Sequence, residues 1–224
     1  GNNKLTLDAK VTTVNQPVTV GELVVNSDIQ VNTDAIATTG EQSYFGTYVQ
    51  QQDVTLTGSN LIFNNTVMGD QSLTLNSSTV TVNQPVTVGE LVVNGDIQVN
   101  TNAIATTGEQ SYFGTFVQQQ DVTLTGSNLI FNNPVVGNNK LTLDAKVTTV
   151  NQPVTVGELV VNSDIQVNTD AIATTGEQSY FGTYVQQQDV TLTGSNLIFN
   201  NTVMGDQSLT LNSSTVTVNQ PVTV

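Results

Sequence analysis

The chain has no cysteine, no histidine, no tryptophan and no arginine, and its only basic residues are Lys4, Lys10, Lys140 and Lys146. Each absence excludes something. Without cysteine there are no disulfide staples, so stability must come from burial and backbone hydrogen bonds. Without histidine or cysteine, Ser/His or Cys/His nucleophilic chemistry has no base and zinc lacks both preferred ligands. No glycine-rich phosphate loop or dinucleotide fingerprint occurs. Eighteen acidic residues against four lysines give a formal charge of −14, which repels phosphate backbones and anionic lipid, so neither nucleic acid nor a membrane surface is an expected partner. No apolar run nears the ~18 residues of a membrane span. The chain opens at Gly1 with no basic or signal-like segment, and reads as an internal piece of something longer.

What the chain does contain is repetition. Gly1-Asn-Asn-Lys-Leu-Thr-Leu7 returns at Gly137, and a diverged copy, Gly69-Asp-Gln-Ser-Leu-Thr-Leu75, lies halfway between. The period is 68 residues, giving units 1–68, 69–136 and 137–204 and a partial unit 205–224. Residues 1–88 are identical to 137–224, so two variants alternate. Each unit divides again at Gly1, Gly21 and Gly40 into sub-repeats of roughly 20 residues, the length of one solenoid coil.

Strict alternation supplies the faces. Leu5/Leu7, Leu23/Val25 and Val54/Leu56 form one inward set. Ile29/Val31, Leu61/Phe63 and Val80/Val82 form a second, and Val18/Val20, Ile36 and Val67 a third. Helical i, i+3, i+4 spacing is missing. Low hydropathy and net charge favour disorder in general, but only 10% of residues are charged and the alternation is regular. The pattern predicts an all-β chain: one continuous parallel β-helix, or β-solenoid, over residues 1–224, with about three short strands per coil. Counting sub-repeats gives about ten coils, or about 48 Å at ~4.8 Å per coil. The segment Glu41–Gln52 does not fit this count and predicts a wider third coil or a lateral excursion.

Two residue classes stand out on this frame. Asn15, Asn32, Asn64, Asn83, Asn100, Asn132, Asn151, Asn168, Asn200 and Asn219 follow strands in equivalent places. Asparagine tolerates left-handed corners, and stacked amides form hydrogen-bonded ladders, so a structural Asn ladder is expected. Most aromatics fall in three clusters: Tyr44, Phe45 and Tyr48; Tyr112, Phe113 and Phe116; Tyr180, Phe181 and Tyr184. They fill the wider coil or, on the alternative reading, form a contact surface for sugars or a neighbouring fibre; the packing role is the favoured one. The acids recur with the repeat rather than forming one irregular pair, which argues against a catalytic site. Calcium is the one cofactor left open, at Asp28 and Asp34. Asn102 replaces Asp34 in the second unit, and solvated acids that maintain solubility are the favoured account. A Thr-x-Thr ice-binding array is broken, since Thr55/Thr57 correspond to Thr6/Asp8 and Val24/Asn26 in adjoining coils.

Ile36-Ala-Thr-Thr-Gly-Glu-Gln-Ser-Tyr44, Asp53-Val-Thr-Leu-Thr-Gly-Ser-Asn-Leu-Ile-Phe63 and Gly69-Asp-Gln-Ser-Leu-Thr-Leu75 resemble the repeats of filamentous-haemagglutinin-like bacterial surface adhesins. The resemblance covers essentially the whole repeat. It implies a right-handed β-helix, export to the extracellular space or the bacterial cell surface, and the role of an adhesin stalk. Expected partners are neighbouring copies or repeats, and a host-cell, matrix or glycan surface for the parent protein. A self-assembling extracellular filament or sheath is the alternative.

Overall fold

A computed structural model describes residues 1–224: 34 β-strands and no helix. Lys4–Leu7, Val11–Val14 and Val18–Val20 are the three sides of the first coil. Glu22–Val25, Asp28–Val31 and Ala35–Thr38 lie beside them in parallel register, with Leu5 opposite Leu23, Thr12 opposite Ile29 and Val18 opposite Ile36. Every later side repeats this relation, 17 residues on where Val80 meets Ile97 and 20 where Ile172 meets Leu192. The result is a three-sided β-solenoid. The third side stacks as a 12-stranded sheet, one strand per coil. The first and second sides share the long strands Val190–Phe199 and Leu209–Val218, which run across a corner and join them into one 22-stranded sheet. The coils number twelve rather than ten.

The inward alternation builds the core directly. Leu23, Val25, Ile29, Val31 and Ile36 are buried while Asp28 and Gln30 between them are exposed. Forty-seven buried apolar residues form a single cluster from Leu23 to Val203, so the chain is one continuous body rather than a string of domains. Each coil contacts only its neighbours, and stacking supplies what an isolated coil could not bury.

The segment 41–52 is neither a wide turn nor an excursion. Gln42–Tyr44 pairs in register between Leu23–Val25 and Leu61–Phe63, and Tyr48–Gln50 between Ile29–Val31 and Val67–Met68. These are two ordinary sides. They were hard to see because their inward positions, Gln42, Tyr44, Tyr48 and Gln50, hold polar and aromatic residues instead of aliphatic ones. The inward sets shift accordingly. Val54/Leu56 stack on the third side between Ile36 and Leu73/Leu75, not above Leu23/Val25. Leu61/Phe63 and Val67 likewise lie on the first and second sides, away from Ile29/Val31 and Ile36 respectively.

With these two sides counted, residues 1–68 hold eleven strands. Eleven is not a multiple of three, so one unit makes three and two-thirds coils. Equivalent strands therefore change side from unit to unit. Lys4–Leu7 lies on the first side, Ser72–Asn76 on the third, Lys140–Asp144 on the second, and Leu209–Asn212 on the first again.

Candidate functional site

The asparagines stand at coil corners, where the residue after a strand donates its backbone N–H to the coil before, as Asn32 does to Val14 and Asn83 to Phe63. None has left-handed backbone, since no residue other than glycine has positive φ. Their side chains explain the placement. Asn32 Nδ2 donates to Asn15 Oδ1 at 2.8 Å. Asn83 donates to Asn64 at 3.0 Å and Asn100 to Asn83 at 2.7 Å. Asn151 donates to Asn132 at 2.9 Å and Asn168 to Asn151 at 2.8 Å. Asn219 donates to Asn200 at 3.0 Å. All ten residues are brought into amide contacts, but in four separate runs and not one ladder along the axis. The eleven-strand unit moves successive runs to successive edges of the prism, and the fourth run returns to the edge of the first. A further rung outside the expected set joins Asn94 to Asn76 at 2.6 Å.

The aromatic positions separate into two classes. Tyr44, Tyr48, Tyr112, Phe116, Tyr180 and Tyr184 are buried and form no contact surface, because alternation turns them inward. Tyr44 stacks on Phe63 at 5.2 Å between ring centroids and meets Tyr48 edge-on at 5.2 Å, both favourable quadrupole arrangements. The cluster recurs at Tyr112, Phe116 and Phe131, and at Tyr180, Tyr184 and Phe199. Phe45, Phe113 and Phe181 alone are exposed, each by about half (52%, 50% and 52%). They lie at three different edges, so no aromatic row runs along the rod.

Sequence reasoning missed the buried glutamines. Gln42 Nε2 donates to the carbonyls of Thr57 at 2.7 Å and Ile36 at 3.2 Å, and Gln42 Oε1 accepts from Tyr44 Oη at 2.7 Å. Gln110 with Tyr112, and Gln178 with Tyr180, repeat the arrangement. The available signal was the match of Gln42/Tyr44 to Leu61/Phe63 at one coil's spacing. Burial pushes all five tyrosine phenols well above their ordinary range.

Tyr48 and Tyr184 differ from the other tyrosines in having buried hydroxyls with no partner. The second unit carries Phe116 at that place. Tyr48→Phe and Tyr184→Phe are therefore expected to leave stability unchanged or raise it by up to about 1 kcal/mol. Tyr44→Phe should cost about 1–3 kcal/mol by orphaning Gln42 Oε1. Denaturant midpoints of the three variants would test this; equal losses in all three would contradict it.

The acids serve the corners. Asp28 Oδ1 accepts the backbone N–H of Thr47 at 2.8 Å, and Asp53 Oδ1 that of Ser72 at 2.9 Å. Asp96, Asp121, Asp164 and Asp189 do the same in their coils. Asp34 is exposed, and its backbone carbonyl accepts from Thr55. Asp164→Ala should lower stability by about 1 kcal/mol, as for other side-chain caps of backbone N–H groups. Asp164→Asn, which keeps the acceptor, should be close to neutral. Comparable loss from both changes would mean that charge, rather than the hydrogen bond, matters. Lys4 and Lys140 pair with Glu22 and Glu158, each at 2.8 Å, in exposed positions where such pairs add little.

Concavities are shallow, and one kind repeats with the unit. One groove beside Gln50, Met68 and Asp70 has a volume of about 260 Å³, and its copies at Gln118/Asn138 and Gln186/Asp206 have about 330 and 460 Å³. No protein family, curated protein or solved structure matches the chain. The geometry itself must carry the functional reading.

Proposed function

We propose that this chain is a length of structural shaft in a large secreted or cell-surface adhesin, not an enzyme. Adhesion itself belongs to other parts of the parent protein. The observation that supports this reading is the rotation of the repeat. Eleven strands per unit deal a closely similar succession of outward residues to each side in turn, so no side is set apart as a binding face. The Asn runs, Asp caps and aromatic clusters all serve coil-to-coil cohesion, and a solenoid lengthens by coils without changing its cross-section.

Electron microscopy of the purified chain over a range of concentrations tests the proposal. Discrete rods of about 58 Å, twelve coils at ~4.8 Å each, are the expected result. Fibres that lengthen with concentration would replace it with the self-assembling filament. Round particles would overturn the shaft altogether.

A further inference from the structure

We infer that the number of 68-residue units sets the direction in which the far end of the shaft faces, as well as its reach. The inference rests on the shaft reading and adds an azimuth to it. Each unit contributes eleven strands to a three-sided coil. Adding one unit moves everything beyond it by about 18 Å, three and two-thirds coils at ~4.8 Å each, and turns it by a third of a revolution. Two units turn it by two-thirds. Three units, or 204 residues, make eleven whole coils and restore the original direction.

The chain displays the cycle once in full. Thr19, Thr87, Thr155 and Thr223 are equivalent residues, all outward and exposed. Thr19 stands on the third side, Thr87 on the second and Thr155 on the first. Thr223 returns to the third side beside Met204. The close similarity of the two unit variants gives a duplicated unit neighbours of the same strand pattern as it has now. The shaft is thus an indexed spacer: a tip carried beyond it points the same way only in variants whose unit counts differ by multiples of three.

The absence of cysteine allows a direct test. Thr19→Cys and Thr223→Cys are introduced together and coupled to biotin, and bound streptavidin is imaged on the rods. The same is done after inserting one, two or three further copies of residues 69–136 behind Val136. The expected azimuth between the two markers is zero, one-third, two-thirds and zero of a turn. Markers that stay aligned after every insertion would overturn the indexing while leaving intact rods, and hence the shaft reading, standing. Loss of rods in the uninserted chain would sink the shaft reading instead.

A second measurement keeps the inference testable if the inserted chains fail to fold. Val49→Cys with Met68→Cys, and in a second variant Gln30→Cys with Val49→Cys, place thiols on outward register partners in adjacent coils. A short bifunctional thiol reagent should link each pair within one chain. Failure of either pair would mean that Gln42–Gln50 does not form two sides, and the count of eleven would be wrong.

Discussion

Above about pH 10 the solenoid is expected to unfold in a steep alkaline step, with tyrosinate absorbance rising as the β-signal is lost. All five tyrosines are buried in the coil interior, and their phenols are held well above the ordinary value by burial. The unfolded chain ionises its tyrosines near pH 10, whereas the folded chain does not. The unfolded state therefore binds fewer protons above that pH, and stability falls as pH rises from about 10 towards the raised folded values. Below pH 10 the contribution is fully present. Each phenol costs the fold about 1.4 kcal/mol per pH unit in this window, so five together cost about 7 kcal/mol per unit.

Replacing Tyr44, Tyr48, Tyr112, Tyr180 and Tyr184 together by Phe should move the alkaline limit upward, although the lost Gln–Tyr hydrogen bonds lower stability at neutral pH. Tyrosines that titrate near pH 10 with the β-signal intact would show that the rings are reached by water. Such a result would contradict the packed interior.

The second large effect is expected at a place where the two repeat variants differ. Thr148 and Ser163 share a buried hydroxyl–hydroxyl bond of 2.7 Å, and Thr12 and Ser27 a partly buried one of the same length. The second unit has Val80 and Gly95 instead. Both partners have changed together, so neither variant leaves a buried hydroxyl alone. Yet Gly95→Ser is expected to lower stability by roughly 3 kcal/mol or more, at or beyond the usual range for overpacking. A Cβ at Gly95 would run into the carbonyl oxygen of Ser77. Ser77 is fixed in its turn by hydrogen bonds from its hydroxyl to Ser59 O at 3.0 Å and Thr79 O at 2.7 Å, where the other units have Ala9 and Ala145.

Serine is therefore native at 27 and 163 but excluded at 95. Replacing residues 76–80 by Asp-Ala-Lys-Val-Thr should restore tolerance of Gly95→Ser. Denaturation midpoints and hydrogen exchange across the coils carrying residues 77 and 95 provide the readout. A harmless Gly95→Ser would refute the steric account, and failure of the graft to rescue it would refute the role of the Ser77 turn.

Both predictions depend on which residues face inward, and much of that was readable beforehand. A strand alternates with period two, a local property, so Leu5/Leu7, Leu23/Val25 and Ile29/Val31 declare their own direction without reference to anything distant. The same is true of the repeat of 68 and of the amide positions, since a ladder needs only equivalent residues in neighbouring coils. The aromatic clusters were harder. Alternation turns Tyr44 and Tyr48 inward and Phe45 outward, but the polar company of Gln42 and Gln50 obscured the two strands that carry them.

What the sequence by itself determined is the class of structure: an all-β solenoid of three-sided coils, made from near-identical units with an aliphatic interior. The tertiary structure alone decided how many sides a unit contains, and with that the twelve coils, the four separate Asn runs and the three edges that carry Phe45, Phe113 and Phe181. Strand direction is fixed residue by residue, whereas closure of a coil depends on the summed bend of successive corners. Register is then chosen by whichever stacking buries the most interior surface and pairs the buried amides, and that choice exists only once coils lie one on another.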